Sequence, residues 1–209
     1  MSGAGLLSCL LFVSCAREVI TSPPSPQVPF LDKGLVAGSW GLQDPQDFEV
    51  DRLGEANLRE VFTGQRLQRR TWRGFSSTEP ILPLDTLFND RAPPSMGYVY
   101  SLVQREKSDI GWPNTQAVLH VSHRGRARVW FEGELVIDAP SPPSGTWGTV
   151  RSVVQLTGAF DVLLIKVAQE HGEAEGSMNL QVRLSDIDGS PLPRTSWNTM
   201  RPGHLPRDN

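Results

Sequence analysis

The stretch Ala117–Ala139, AVLHVSHRGRARVWFEGELVIDA, constrains the fold more than any other part of the chain. Apolar and polar residues alternate through three short runs, interrupted at Arg124-Gly125 and at Glu132-Gly133. A period of two puts successive side chains on opposite faces of a strand. A Gly at each break supplies the backbone freedom of a tight turn. The segment therefore predicts a β-meander whose second hairpin turns at Phe131-Glu132-Gly133-Glu134.

The same signal recurs along the body. Gly34–Trp40 predicts a first strand, and Gly97–Arg105 alternates Tyr98, Tyr100 and Leu102 against Val99, Ser101 and Val103. Gln116–Ser122, Arg126–Phe131, Glu134–Asp138, Val150–Leu156 and Met178–Leu184 read as further strands. Ala159–Ala168 is apolar almost throughout, as expected of a central strand buried on both faces. Pro83 makes Ile81–Phe88 an edge segment that leads into a short helix at Asp85. Glu55–Val61 predicts one or two helical turns. The 209 residues suit one domain, and 19 Gly with 17 Pro suit many strands joined by turns. The expected fold is all-β: a two-sheet antiparallel β-sandwich, jelly-roll-like, over residues 30–190, with short helical turns in the N-terminal third.

The ends read differently. Met1–Cys15, MSGAGLLSCLLFVSC, has the small and apolar character of an export signal, and Phe12-Val13-Ser14-Cys15 resembles the lipobox of bacterial lipoproteins. That resemblance implies cleavage before Cys15, lipidation of its thiol, and an exported protein held at the cell envelope. No Lys or Arg precedes the apolar stretch, so an ordinary signal peptide or a plain apolar tail remains open. Cys9 and Cys15 are the only cysteines, which leaves the body without a disulfide or a thiol nucleophile. Residues 16–29 carry Pro23, Pro24, Pro26 and Pro29 and predict a polyproline-like tether. At about 3.1 Å per residue it would reach roughly 40 Å from an anchored Cys15. Residues 191–209, with four more prolines, are expected to be a loose tail that Trp197 would pin to the body.

Val118–Asp138 resembles the core hairpins of protective-antigen-type sugar-binding β-sandwich modules. Arg128, Val129, Trp130, Phe131, Gly133, Leu135, Val136, Ile137 and Asp138 carry the match. Gly34–Leu42, Glu49–Asn57, Met96–Val103 and Phe160–Val167 are similar to stretches of uncharacterised exported bacterial sandwich domains. The resemblance implies fold and location more than activity, because function belongs to sites. In the sugar-binding modules, paired aspartates of the first loop hold a Ca²⁺ that chelates sugar hydroxyls. Here that loop is Ser122-His123-Arg124-Gly125, followed by Arg126 and Arg128. Calcium requires hard oxygen ligands, and a cationic loop repels it, so no metal or other cofactor is expected.

What remains are surface candidates. His123, Arg124, Arg126 and Arg128 form a basic cluster able to pair with oxyanions, or else a solvated sheet face with partners such as Glu132 or Glu134. Trp112 and Trp147 lie in Gly/Pro contexts and are the aromatic platforms best placed to stack on sugars. Otherwise they cap the ends of the sandwich. Trp130 is expected in the core. Asp47, Glu49, Asp51 and Glu55, and separately Asp186 and Asp188, are the acidic groups that glycosidase chemistry would need, although turns explain both. The histidines show no zinc spacing. A net charge of −3, from 20 basic and 23 acidic residues, gives no footprint for nucleic acid. The sequence thus reads as a non-enzymatic, lipid-anchored envelope module whose partner is a glycan or, as the alternative, another envelope protein. A glycoside hydrolase is the weakest reading.

Overall fold

A computed structural model of the chain describes residues 24–58, 60–88, 94–106, 114–169 and 178–199. In chain order these form β1 (Lys33–Gly41), β2 (Arg66–Leu67), β3 (Arg70–Thr71), β4 (Arg73–Ser76), β5 (Leu82–Pro83), α1 (Leu84–Phe88), β6 (Ser95–Arg105), β7 (Thr115–His123), β8 (Arg126–Phe131), β9 (Glu134–Ala139), β10 (Gly148–Leu156), β11 (Phe160–Gln169), β12 (Asn179–Ser185) and β13 (Thr195–Asn198). Short 3-10 turns occupy Pro45–Glu49 and Glu55–Asn57.

The strands assemble into the expected antiparallel sandwich. The large sheet runs β4-β1-β6-β11-β8-β9, and β13 joins β6. β1 covers Ser95–Tyr100 of β6 and β13 covers Leu102–Arg105, so the two share one edge of the longest strand. The small sheet runs β10-β7-β12-β5. Alternation places Ala117, Leu119 and Val121 of β7 and Leu180, Val182 and Leu184 of β12 between the sheets, against Val129, Leu163, Ile165 and Val167. β11 lies between β6 and β8, as its apolar run predicted. β5, with Pro83, is an edge strand, where a missing N–H costs no ladder bond.

The large sheet has a second core on its outer face. Residues 42–72 leave the sandwich after β1 and fold back over that face. Leu42, Phe48, Val61, Leu67 and Trp72 bury Leu35, Tyr98, Tyr100, Leu102, Trp130 and Leu164. Trp130 is accordingly a core residue, as expected.

The fold extends past both expected limits. Val28, assigned from sequence to the tether, is buried, and its carbonyl accepts from Arg183 Nη1 at 2.8 Å. Ser25 N donates to Gly189 O, and Leu31 N to Val182 O, so residues 25–31 lie along β12. At the other end, β13 and the buried Trp197 fall in the stretch expected to be a loose tail. Ladder pairing with β6 outweighs the local Pro-rich composition there. Cys15, and with it the stretch read from sequence as a signal and most of the expected tether, lies outside the described residues.

Candidate functional site

The Arg cluster that is contiguous in sequence is divided between two sheets. β7 ends at His123 and β8 starts at Arg126, and the turn between them crosses from the small sheet to the large one. Gly125 holds φ at +80° in that turn, and an added Cβ would meet Ala168 O at 2.2 Å. Only glycine fits this crossing.

Beyond the turn, Arg126 and Arg128 share a face, as alternation requires, on the outer side of the large sheet under the 42–72 cover. Arg126 Nη2 pairs with Glu49 Oε1 at 2.7 Å; Arg128 Nη1 pairs with Glu49 Oε2 at 2.6 Å and its Nη2 with Asp138 at 2.9 Å. Both guanidiniums also stack on Phe48, at 4.5 and 5.3 Å from the ring centre. Glu49 is held below the usual carboxylate range, chiefly by Arg128, and Arg128 is pushed up, chiefly by Asp138. These two arginines clamp the cover and are committed to carboxylates. The sequence reading anticipated acidic partners but named Glu132 and Glu134; the partners are Glu49, from a distant segment, and Asp138.

His123 is likewise withdrawn from any ligand. It is buried, its Nδ1 lies 2.7 Å from Gly125 O, and its ring fills the space a Cβ on Gly148 would need, at 2.7 Å from Nε2. Arg124 is different. Its guanidinium sits over the Trp147 ring at 5.2 Å from the centre, and its Nε is buried without a hydrogen-bond partner. Both residues are half-buried. Of the predicted ligand residues, Arg124 and Trp147 are therefore brought together at the loop end of the sandwich. Trp112 lies outside the described residues.

The acidic candidates turn out to be local fasteners. Asp47 accepts from Gln43 N and Asp44 N, and those bonds hold its carboxyl low. Asp51 accepts from the backbone of Leu53, Gly54 and Glu55. Asp186 accepts from Ile187 N and Asp188 from Ser190 N, within the turn after β12. Among the described residues, no three side chains come together as a metal would require.

Among the buried polar groups that escaped the sequence reading, one lies under the cover. Lys166 of β11 is fully buried and donates to Glu55 Oε1 and Val50 O, both at 2.8 Å. Tyr98 of β6 donates to the same Glu55 oxygen at 2.5 Å. Burial lowers the Lys166 ammonium and raises the Tyr98 hydroxyl, the latter aided by Glu55. The cluster is sealed beneath the cover and works as a polar rivet. Its one sequence signal was a lysine inside the most apolar run of the chain.

No family model and no curated protein matches the chain. Solved structures do resemble it. A β-glucosidase from Kluyveromyces marxianus, solved in complex with glucose, aligns at a TM-score of 0.46 and 11% identity, over 74% of this chain and 17% of that one. An anti-sigma factor domain-containing protein aligns at 0.44 and 12%, over 80% of this chain and 45% of that one. A PA14 sugar-binding domain from an RTX adhesin aligns at 0.37 and 11%, over 73% of this chain and 88% of that one. The chain thus spans less than half the length of the first two. At TM-scores below 0.5 such likenesses are too loose to carry a ligand or an activity to this chain.

Proposed function

We propose that this domain is a non-catalytic binding module of the bacterial cell envelope, anchored by lipid at Cys15, and that its ligand is a glycan. The carrying observation is the Arg124–Trp147 pair. An indole at the sandwich end offers an apolar face to a sugar ring, and the guanidinium over it brings a fixed positive charge to the same place. The export signal supports the location, and Trp112 is a further platform by sequence. The acids that hydrolysis would need are engaged in turns and ion pairs, which favours binding over catalysis. The test is a glycan array probed with the purified protein, with and without Ca²⁺. Binding that is lost in both Arg124→Ala and Trp147→Ala, with circular dichroism unchanged, is expected. Binding that survives both removes the reading.

A protein-docking scaffold is the second reading, and one surface favours it. Edge strands β9 and β10 flank an open groove of about 600 Å³ in which Leu135 and Val153 are exposed. Unpaired edges beside apolar side chains invite strand addition. One stoichiometric envelope partner, lost on Val153→Lys, would favour this reading over the glycan.

A further inference from the structure

Residues 61–78 carry four Arg and no Asp or Glu, in a chain whose net charge is −3. The charge is gathered on one hairpin. β2 and β3 pair with Arg66 opposite Thr71 and Leu67 opposite Arg70, and Gln68-Arg69 form the tip. The base is closed by Gly64 N donating to Trp72 O and Trp72 N donating to Gln65 O, both at 2.9 Å. A two-stranded ribbon this short does not hold by itself. Here it is pinned from within. Leu67 and Trp72 are buried in the outer core of the large sheet, and Trp72 meets Tyr100 edge-on at 6.2 Å between ring centres.

With those two side chains turned in, Phe62, Arg66, Gln68, Arg69, Arg70 and Thr71 are all exposed. Arg73 donates to Leu87 O at 2.7 Å, and Arg70 has a partner of its own. The side chains of Arg66 and Arg69 make no hydrogen bond or ion pair among the described residues. They differ in this from Arg126 and Arg128, whose guanidiniums Glu49 and Asp138 claim. At the tip Gln68 holds φ at +54°, where a two-residue hairpin turn favours Gly, Asn or Asp. Departures from local turn chemistry of this kind concentrate where side chains serve a function. Phe62 completes the surface at 44% exposure. Its turn is fixed to the hairpin base, since Gln65 N donates to Phe62 O and Phe62 N to Gln65 Oε1, both at 3.1 Å.

From this arrangement we infer that the β2–β3 hairpin docks on an anionic phospholipid surface, with Arg66 and Arg69 on the headgroups and Phe62 at the boundary with the acyl chains. A bilayer offers both chemistries in adjacent layers, negative headgroups and an apolar phase just beneath them. A polysaccharide or a single nucleic-acid strand is followed by a series of stacking faces, and the other aromatic of this ribbon, Trp72, is buried. Double-stranded nucleic acid calls for a wider basic footprint than a chain of net charge −3 provides. The inference uses neither Arg124 nor Trp147 and needs no anchor at Cys15. It goes beyond the glycan reading by giving the domain an orientation on a membrane.

The experiment measures partition of the full chain into vesicles of equal parts phosphatidylglycerol and phosphatidylcholine, and into vesicles of phosphatidylcholine alone. Whatever the apolar N-terminal stretch contributes is common to both, so the ratio of the two partitions is the quantity read. A preference for the anionic vesicles is expected at about 0.1 M salt. It should vanish at about 1 M, where the screening length falls from about 10 Å to about 3 Å. One arginine at an anionic surface is worth about fivefold in partition, so Arg66→Gln with Arg69→Gln should cut the preference roughly 25-fold. The melting temperature should not move, because both side chains are exposed and unpaired.

Three further variants separate the causes. Arg66→Lys with Arg69→Lys should keep the preference, since a headgroup layer attracts charge and does not require a planar fork. Lys33→Gln with Arg194→Gln removes the same charge from exposed positions on other segments and should cost little. Phe62→Ala should weaken binding to the anionic vesicles several-fold. Equal partition into the two vesicles, or a preference that survives the Arg66, Arg69 Gln pair, would overturn the inference. A loss as large in the Lys33, Arg194 pair would overturn it too, by reducing the effect to net charge. Phe62→Ala protein that binds as before would remove the bilayer as the occupant. Binding to polygalacturonate with vesicles ignored would assign the guanidiniums to a polysaccharide and do the same. Failure here leaves the glycan-array test of Arg124 and Trp147 as it stands.

Discussion

Replacing Glu55 by Gln should destabilise the domain by about 3 kcal/mol, although the change keeps size and shape. Lys166 Nζ is fully buried, and Glu55 is the carboxylate it meets, at 2.8 Å; its other acceptor is the neutral carbonyl of Val50. The amide oxygen can still accept from Lys166 and Tyr98, but the ammonium loses its counter-charge. Removing one member of a buried pair costs about 3–5 kcal/mol, because the survivor remains desolvated and unpaired. For a domain of this size that is a fall in melting temperature of roughly 10 °C. Lys166→Met alone should also destabilise, since it strands the carboxylate. The double variant Glu55→Gln, Lys166→Met carries no buried charge at this site and should recover most of the loss. Urea unfolding of the four proteins gives the coupling energy directly. Hydrogen exchange at the amides of Val50–Glu55 should rise in Glu55→Gln, because the rivet holds the cover from beneath. A loss under 1 kcal/mol, or single effects that simply add, would refute the idea that a charge pair fastens the cover.

Acid should weaken the fold through His120. Its folded value, about 4, lies below the 6.5 of the unfolded chain, so the unfolded state binds the extra proton between those limits. Stability present above about pH 6.5 is lost as pH falls toward 4, by on the order of 2–3 kcal/mol. His120→Gln should flatten that limb of a stability-against-pH curve, and an unchanged limb would exclude His120 as its source. Gly125→Ala should cost about 2 kcal/mol or more in denaturant unfolding, since both the positive φ and the contact with Ala168 O oppose a Cβ. Cys15→Ala in the exporting host should move the protein from the membrane to the soluble fraction; continued membrane residence would argue against a lipid anchor at that thiol.

Much of the strand inventory was legible because alternation is a local property. From Met96 onward the sequence-predicted strands agree with β6 to β12 to within two residues at each end. Gly125 and Gly133 marked the turns that flank β8, for the same local reason. The cover was not legible. Residues 42–72 are punctuated by Asp-Pro and Gly and carry no period, so nothing local says that Phe48 and Trp72 are buried. Nor could composition show that residues 195–198 would pair with β6, because pairing depends on an edge created elsewhere in the chain.

The candidate site divides along the same line. The sequence by itself determined an all-β chain, its alternation, its turns, and the absence of acids from the first loop, since each follows from residue type and spacing. Tertiary structure alone decided which basic residues remain available. His123, Arg124, Arg126 and Arg128 are near neighbours in sequence, yet Gly125 sends them to two sheets. Glu49 and Phe48 claim two of them, Gly148 closes over a third, and Trp147 presents the fourth. Those partners come from segments that only the folded sheets bring within reach.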